Sequence, residues 1–191
     1  MTTPSILSLG AEAILSRYPK RGALADGQSV ELRLMDAGDH EAVLTFARAI
    51  PSDDLLFLPA TITEPAAVDA WIAAIEAGRT TTVLAFVDNR LVGEGTLLRN
   101  ATTWTRHLGE IRLLITPEGQ GRGLGRLLAG EIEAIAQTLG LRMLTARMTL
   151  DQAAAQAVFR RLGFQREAVL FDYVIDAEGS TRDLLVATKH L

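Results

Sequence analysis

Polar and apolar residues alternate from Val30 to Met35, which predicts a strand. Asp36 then stands where a helix cap would, and Val43, Leu44, Ala47 and Ile50 follow at helical spacing until Pro51. Thr63 before Glu64-Pro65 marks a second helix start, with proline tolerated in the first turn and Gly78 beyond the end. Thr80–Val87 and Leu91–Leu98 flank Asp88-Asn89-Arg90 and predict a hairpin, with Gly93 and Gly95 marking a bulge or a close backbone approach. A strand over His107–Ile115 runs into a glycine-rich turn. A helix over Gly121–Leu139 follows, with Leu124, Leu127, Leu128, Ile132, Ile135, Ala136 and Leu139 on one face. Leu141–Met148 is the next strand. Asp151 is the expected cap of a helix with Ala155, Val158, Phe159 and Leu162 as its buried stripe, ended by Gly163. Phe164–Ile175 and Leu184–Thr188 are strands joined through Asp176–Ser180.

The resulting order is β-α-α-β-β-β-α-β-α-β-β, an α/β fold with a mixed, mostly antiparallel central sheet flanked by helices. It occupies residues 30–191 as one domain. Residues 1–29 read as an extension packed on it, with a short helix over Ile6–Arg17 weakened by Gly10, a break at Tyr18–Gly22 and a turn at Ala25–Ser29.

Composition narrows the chemistry. The chain of 191 residues has no cysteine, so it offers no disulfide frame and no thiolate nucleophile or thiolate metal site. Its three histidines are far apart in sequence, and no metal is expected. No apolar run approaches the ~18 residues of a membrane span. Without a basic-then-apolar start, a cytoplasmic protein is the expectation. A net charge of −4 hides an asymmetry: residues 31–78 hold nine acids against two arginines, and residues 99–166 hold ten arginines against five acids. An acidic half suits a cationic substrate and a basic half an anionic cofactor. Nucleic acid is not an expected partner, because the arginines are not interleaved with aromatics and the pI is about 5.4.

The strongest local signal is the turn after Ile115. A strand, a glycine-rich loop and a helix start together make an anion site, since the first amides of a helix are unpaired and the dipole adds positive charge. Two nucleotide loops fail on spacing. From Gly119 the sixth residue is Leu124 and from Gly121 it is Arg126, so no dinucleotide fingerprint is present, and no Gly-Lys-Ser/Thr closes a Walker loop. Gln120-Gly-Arg-Gly-Leu-Gly125 does fit Gln/Arg-x-x-Gly-x-Gly/Ala, and this resembles the pyrophosphate loop of the GNAT (Gcn5-related) N-acetyltransferases. Ala154–Phe164 is similar to the segment of that family in which a helix ends in Gly-Phe. Trp104–Arg112, with Asp172-Tyr173 and Arg182–Leu185, resembles a bacterial branch of it. The resemblance covers residues 30–191.

The resemblance implies transfer of an acetyl group from acetyl-CoA to a primary amine, by direct attack in a ternary complex. The amine would belong to a small molecule, a peptide N-terminus or a protein lysine. It places Leu113, Leu114 and Ile115 along the pantetheine arm, and Gln120, Gly121, Arg122, Gly123, Leu124, Gly125 and Arg126 around the pyrophosphate. A backbone N–H near Leu114 or Ile115 would serve the oxyanion. Acceptor-binding residues would come from the first two helices and the 51–63 loop. Glu110 and His107 are the candidate bases, directly or through water. Two positions depart from the family pattern. Phe159 stands where many members have a tyrosine acid, and Gln152 where many have an asparagine on the CoA arm. Tyr173 could supply a hydroxyl instead, or fill a buried sheet position. The Phe159 departure leaves a second reading open, a non-catalytic acyl-CoA-binding or sensor protein. Nothing in the residue pattern fixes the oligomeric state, and a homodimer through the C-terminal strands stays open.

Overall fold

The computed structural model describes residues 6–51, 55, 61–99, 104–176 and 178–191. Helix α1 (Ile6–Leu15) leads into strands β1 (Lys20–Ala23) and β2 (Ser29–Leu34). A short 3-10 turn at Ala37–Asp39 precedes α2 (His40–Ala49), and α3 spans Pro65–Glu76. Then come β3 (Thr80–Val87), β4 (Arg90–Arg99), β5 (Leu108–Ile115), α4 (Leu124–Thr138), β6 (Met143–Thr149), α5 (Ala153–Arg161), β7 (Gln165–Ile175) and β8 (Thr181–His190). The strands form one eight-stranded sheet in the order β1-β2-β3-β4-β5-β6-β8-β7. Only β5 and β6 run parallel. The mixed, mostly antiparallel α/β architecture expected from the sequence is the one observed.

Helix α4 covers one face. Its Leu124, Leu128, Ile132 and Ile135 are buried against Val30, Leu32, Val83, Ala85, Leu97 and Ile111 of the sheet. Each fully buried aliphatic side chain of this stripe contributes roughly 1.5–3 kcal/mol. Helices α2 and α3 cover the other face through Val43, Leu44 and Val68 against Leu84. The sheet is therefore sandwiched, and its two faces are chemically separate.

The β3–β4 turn has Asp88 at φ 48° and Asn89 at φ 62°, the left-handed pair that a two-residue hairpin with the native twist requires. Further along, Ala85 pairs with Gly93 while Phe86 pairs with Leu91, so Val92 is an extra residue, a bulge in β4. Gly93 also meets the expectation of close approach. A Cβ there would lie 2.9 Å from Leu124 Cδ2 and 3.3 Å from the Leu114 carbonyl.

Several sequence expectations need correction. Strand β1 lies where a break was expected. Its residues, Lys20-Arg21-Gly22-Ala23, carry no apolar alternation because it is a charged edge strand. It is tied to α4 by side chains instead: the Tyr18 hydroxyl donates to Glu131 at 2.8 Å, and Lys20 pairs with the same carboxylate. Helix α4 starts at Leu124, three residues later than predicted, because Gly121 and Gly123 have positive φ. Asp151 does not cap α5; it pairs with Arg182, and Gln152 holds the cap position without a side-chain bond to the helix. Val158 is exposed, so the α5 stripe is narrower than predicted. Tyr173 is also exposed, at 61%, on the edge strand β7, which removes the buried role. The 52–59 loop lies outside the described residues except for Leu55, which packs near Phe46 and Ile50.

Candidate active site

Two adjoining features of the sheet make the site. The first is a gap between β5 and β6. Strand β5 pairs with β4 along its whole length, from Gly109↔Arg99 to Ile115↔Gly93. Its parallel pairing with β6 stops at Glu110↔Thr145, and β6 continues beside β8 alone. From Ile111 onward the β6-facing edge of β5 therefore has no ladder partner. The side chains of Leu113 and Ile115 pack toward the α4 core, and that of Leu114 toward Phe46 and Ile62 on the opposite face. Main-chain groups alternate sides along the strand, so Leu113 and Ile115 face the open edge and can pair with an extended amide-bearing ligand, while those of Leu114 face β4.

The gap ends in the glycine-rich loop. Gly121 at φ 70° and Gly123 at φ 83° adopt the left-handed conformation that lets the chain turn sharply into α4. No side chain caps the helix, so its first amides are left for an anion at the positive end of the helix dipole. The Gln120 side-chain Nε2 donates to the Ile115 carbonyl at 3.3 Å, which ties loop to strand. Arg122 Nε donates to Asp26 at 2.7 Å, and the Ala25 amide donates to the Arg122 carbonyl at 2.9 Å. The β1–β2 turn thus braces the loop, and the Arg122 hydrogen bond helps hold the Asp26 carboxyl below its usual range, after the Gln28 amide. Arg126 is exposed on the first turn, Gly125 is half-buried against Ile115, and the Leu124 side chain sits in the core.

The second feature is a hollow on the α3 face. Sheet register sets Leu114 beside Glu94, Arg112 beside Thr96 and Glu110 beside Leu98. Above them α3 presents Ala67, Ala70, Trp71 and Ala74, and the alanines leave room where larger side chains would fill. The cavity is about 220 Å³, and Glu94, Thr96, Arg112 and Leu114 line its sheet side. Glu94 is 2% exposed. Burial pushes its carboxyl up to about 8, against the opposing pull of the Thr96 hydrogen bond and the Arg112 charge. The Thr96 hydroxyl donates to Glu94 Oε2 at 2.6 Å; Thr96 and Thr82 share a hydrogen bond of 2.9 Å, and Trp71 Nε1 donates to Thr82 at 3.0 Å.

Sequence reasoning missed Glu94. The signal was present: it is the one charged residue between Leu91 and Leu98, a stretch otherwise built of apolar residues, glycine and threonine. Glu110 shares the same sheet face but does not line the cavity. Its Oε1 accepts from Arg112 Nε at 2.9 Å and Nη2 at 2.7 Å, and Arg147 Nε lies 3.6 Å from Oε2. His107 is exposed just before β5 and also lies off the cavity lining. Gln152 sits at the end of the β6–α5 turn, where its side-chain oxygen accepts from the Thr149 amide at 3.1 Å. The Phe159 ring is buried edge-on to Phe164 with centroids 5.1 Å apart. A more open hollow of about 390 Å³ at the β7–β8 turn is lined by Asp151, Asp176 and Arg182 among others, and there the arginine already pairs with both acids.

A sequence model of the Acetyltransferase (GNAT) family matches residues 48–164. The chain belongs to the GNAT acetyltransferases. The match runs from the end of α2 to Phe164 and takes in the gap, the loop and the cavity floor. No curated protein matches the chain in sequence. Solved GNAT structures share the fold at low identity. The GNAT domain of S. lividans PAT aligns with a TM-score of 0.76 at 17% identity, over 92% of this chain and 98% of that one. The ribosomal-protein-alanine N-acetyltransferase from Brucella melitensis aligns at 0.72 and 22%, over 84% and 99%. Salmonella typhimurium yncA, solved with its cofactor acetyl-CoA, aligns at 0.70 and 18%, over 85% and 94%. Among the described residues of this GNAT chain no helix is long and apolar enough to cross a membrane, and no group of three or more His, Asp or Glu side chains is placed to hold a metal ion.

Proposed function

We propose that this GNAT protein moves an acetyl group from acetyl-CoA to a primary amine. The observation that carries the reading is the adjacency of the two features above: Leu113 and Ile115 turn their main chain to the β5–β6 gap, and Leu114 between them turns its side chain to the Glu94 cavity. The residues present fit acetyl-CoA. The uncapped start of α4 and the left-handed glycines of the loop suit a pyrophosphate, with Gly121 to Arg126 around it. The open edge at Leu113–Ile115 suits an extended pantetheine, and Gln152 after β6 and Phe159 on α5 are the residues the family resemblance adds to it. The Salmonella neighbour carrying acetyl-CoA supports the same choice.

Acetyl-CoA supplies an activated acyl carbon, which bonds to the amine nitrogen as the carbon–sulfur bond breaks and the thiolate departs. Glu94 takes the proton from the amine. Burial lifts its carboxyl to about 8, close to neutral pH, which suits a general base. Of the two candidate main-chain donors, the N–H of Ile115 faces the gap and donates to the thioester oxygen, while that of Leu114 faces β4. Phe159 gives no proton to the leaving sulfur, and a thiol of pKa about 8.5 leaves without one. Arg112, held by Glu110, keeps positive charge beside Glu94 and favours its ionised form. In this reading Glu110 positions Arg112, and His107 lies outside the reaction. The acceptor brings a compact, largely apolar group bearing the amine, because alanines, Trp71 and Leu98 wall a cavity smaller than the ~300–1,000 Å³ of common ligand sites.

The test is thiol release from acetyl-CoA across a panel of amines, with thermal shift as the companion. Acetyl-CoA at ~100 times its Kd should stabilise the protein by roughly 2.7 kcal/mol. Turnover with a small apolar amine supports the proposal. A thermal shift with no turnover on any amine supports a binding or sensor protein, and no shift overturns the acetyl-CoA assignment.

A further inference from the structure

We propose that Trp71, Thr82 and Thr96 form a one-way hydrogen-bond chain that fixes Glu94 Oε2 as an acceptor and leaves Oε1 as the atom that takes the proton. This rests on Glu94 being the base. The direction follows from Trp71. An indole N–H donates and cannot accept, so Thr82 must accept from it. Each threonine hydroxyl has one hydrogen. Running from Trp71 to Glu94, the Thr82 hydrogen goes to Thr96 and the Thr96 hydrogen to Glu94 Oε2, and every donor has an acceptor. Run the other way, Oε2 would donate to Thr96 and Thr96 to Thr82. The Thr82 hydrogen would then meet only the Trp71 N–H, at a site where Thr82 is 1% and Thr96 4% exposed. An unmet buried donor is costly, so the first direction holds.

Three consequences bear on function. Oε2 stays an acceptor whether or not Glu94 is protonated, so the carboxyl does not rotate between turnovers. The chain also favours the anion, and it works with Arg112 of β5, the charged side chain that faces Glu94 across the sheet. Among the described residues, the other elements bordering the cavity add no charge: α3 contributes alanines and Trp71, and β3 contributes Thr80. Finally, the chain begins on α3, which walls the acceptor cavity, so the base is aligned from the side on which the acceptor binds. Trp71, Thr82 and Thr96 are positioning residues, and none of them exchanges a proton with the acceptor.

The test is the pH profile of kcat/KM, together with the Glu94 carboxyl titration followed by 13C NMR, in T96V, T82V, W71F and the conservative T96S. Valine keeps the shape of threonine and removes the hydroxyl; phenylalanine keeps a ring and removes the N–H. The proposal expects the acid limb of the profile and the carboxyl titration to move up together by about one pH unit in T96V, as loss of a hydrogen bond to a charged acceptor implies. T82V and W71F should move them by successively smaller amounts, and T96S should restore the wild-type value. A lowered rate with limb and titration unmoved in T96V overturns the chain, as does an effect of T96V with none from T82V or W71F. E94Q separates the two readings. If E94Q keeps wild-type turnover, the base assignment itself falls. If E94Q loses turnover while the threonine variants leave the limb in place, only the chain falls.

Discussion

Replacing Glu94 with glutamine should make the protein more stable at high pH while removing its function. Glutamine has nearly the shape of glutamate, and its carbonyl oxygen can still accept from Thr96. It has no charge to desolvate. In the unfolded chain Glu94 ionises near its ordinary value of 4.5, and in the folded protein near 8. Between those pH values the folded state holds the proton and the unfolded state has released it. Stability therefore falls as pH rises through that window, by about 1.4 kcal/mol per pH unit. The cost of burying this carboxyl reaches roughly 5 kcal/mol by pH 8 and is absent at pH 4.5 and below. The assay is urea unfolding of wild type and Glu94→Gln at pH 5, 6, 7 and 8, compared as a difference so that other titrating groups cancel. The two proteins should be close at pH 5, and the variant should lead by several kcal/mol at pH 8 with an unchanged m-value. Stability curves that run parallel across this range would refute the reasoning, because they would mean Glu94 ionises as freely in the fold as outside it.

Gly123→Ala puts a side chain on a residue at φ 83°, so it should cost about 1–2 kcal/mol by urea unfolding and weaken acetyl-CoA binding by calorimetry, by distorting the loop amides. Ala74→Leu adds three carbons to a cavity of about 220 Å³, so it should raise the acceptor KM several-fold or more and leave acetyl-CoA affinity within about twofold. Asp26→Ala removes the carboxylate that braces Arg122 from the β1–β2 turn, so it should lower acetyl-CoA affinity by calorimetry, and unchanged or raised affinity would show that the brace does not order the loop.

The elements that sequence reasoning placed well share one property: their pattern is set by a single buried face. The α4 stripe from Leu124 to Ala136 and the hairpin around Asp88-Asn89 are of this kind. Strand β1 was not legible because its attachment is made by Tyr18 and Lys20 to Glu131, a residue 111 or more positions away, and not by apolar alternation. The start of α4 was misjudged because φ at Gly121 and Gly123 is a property of the folded loop. The loop itself was readable, since helix starts and glycines announce an anion site locally. Glu94 was not, because its role arises from register. Only the pairing of Glu94 with Leu114, and the cover of α3 above, turn a strand carboxylate into a buried acid beside the gap. Glu110 looked like the better base from its place on the strand before the loop, and the fold gives it Arg112 as a partner.

The central claim is that Glu94, on β4, takes the proton from an amine that acetyl-CoA acylates in the adjoining gap. Steady-state kinetics of thiol release with one accepted amine, in wild type, Glu94→Gln and Glu110→Gln, test it directly when acetyl-CoA affinity is measured alongside. The account predicts a loss of about 10²-fold or more in kcat for Glu94→Gln with acetyl-CoA affinity retained, and a smaller loss for Glu110→Gln. Near-wild-type kcat in Glu94→Gln, with the large loss in Glu110→Gln, would contradict it and return the base to the strand before the loop.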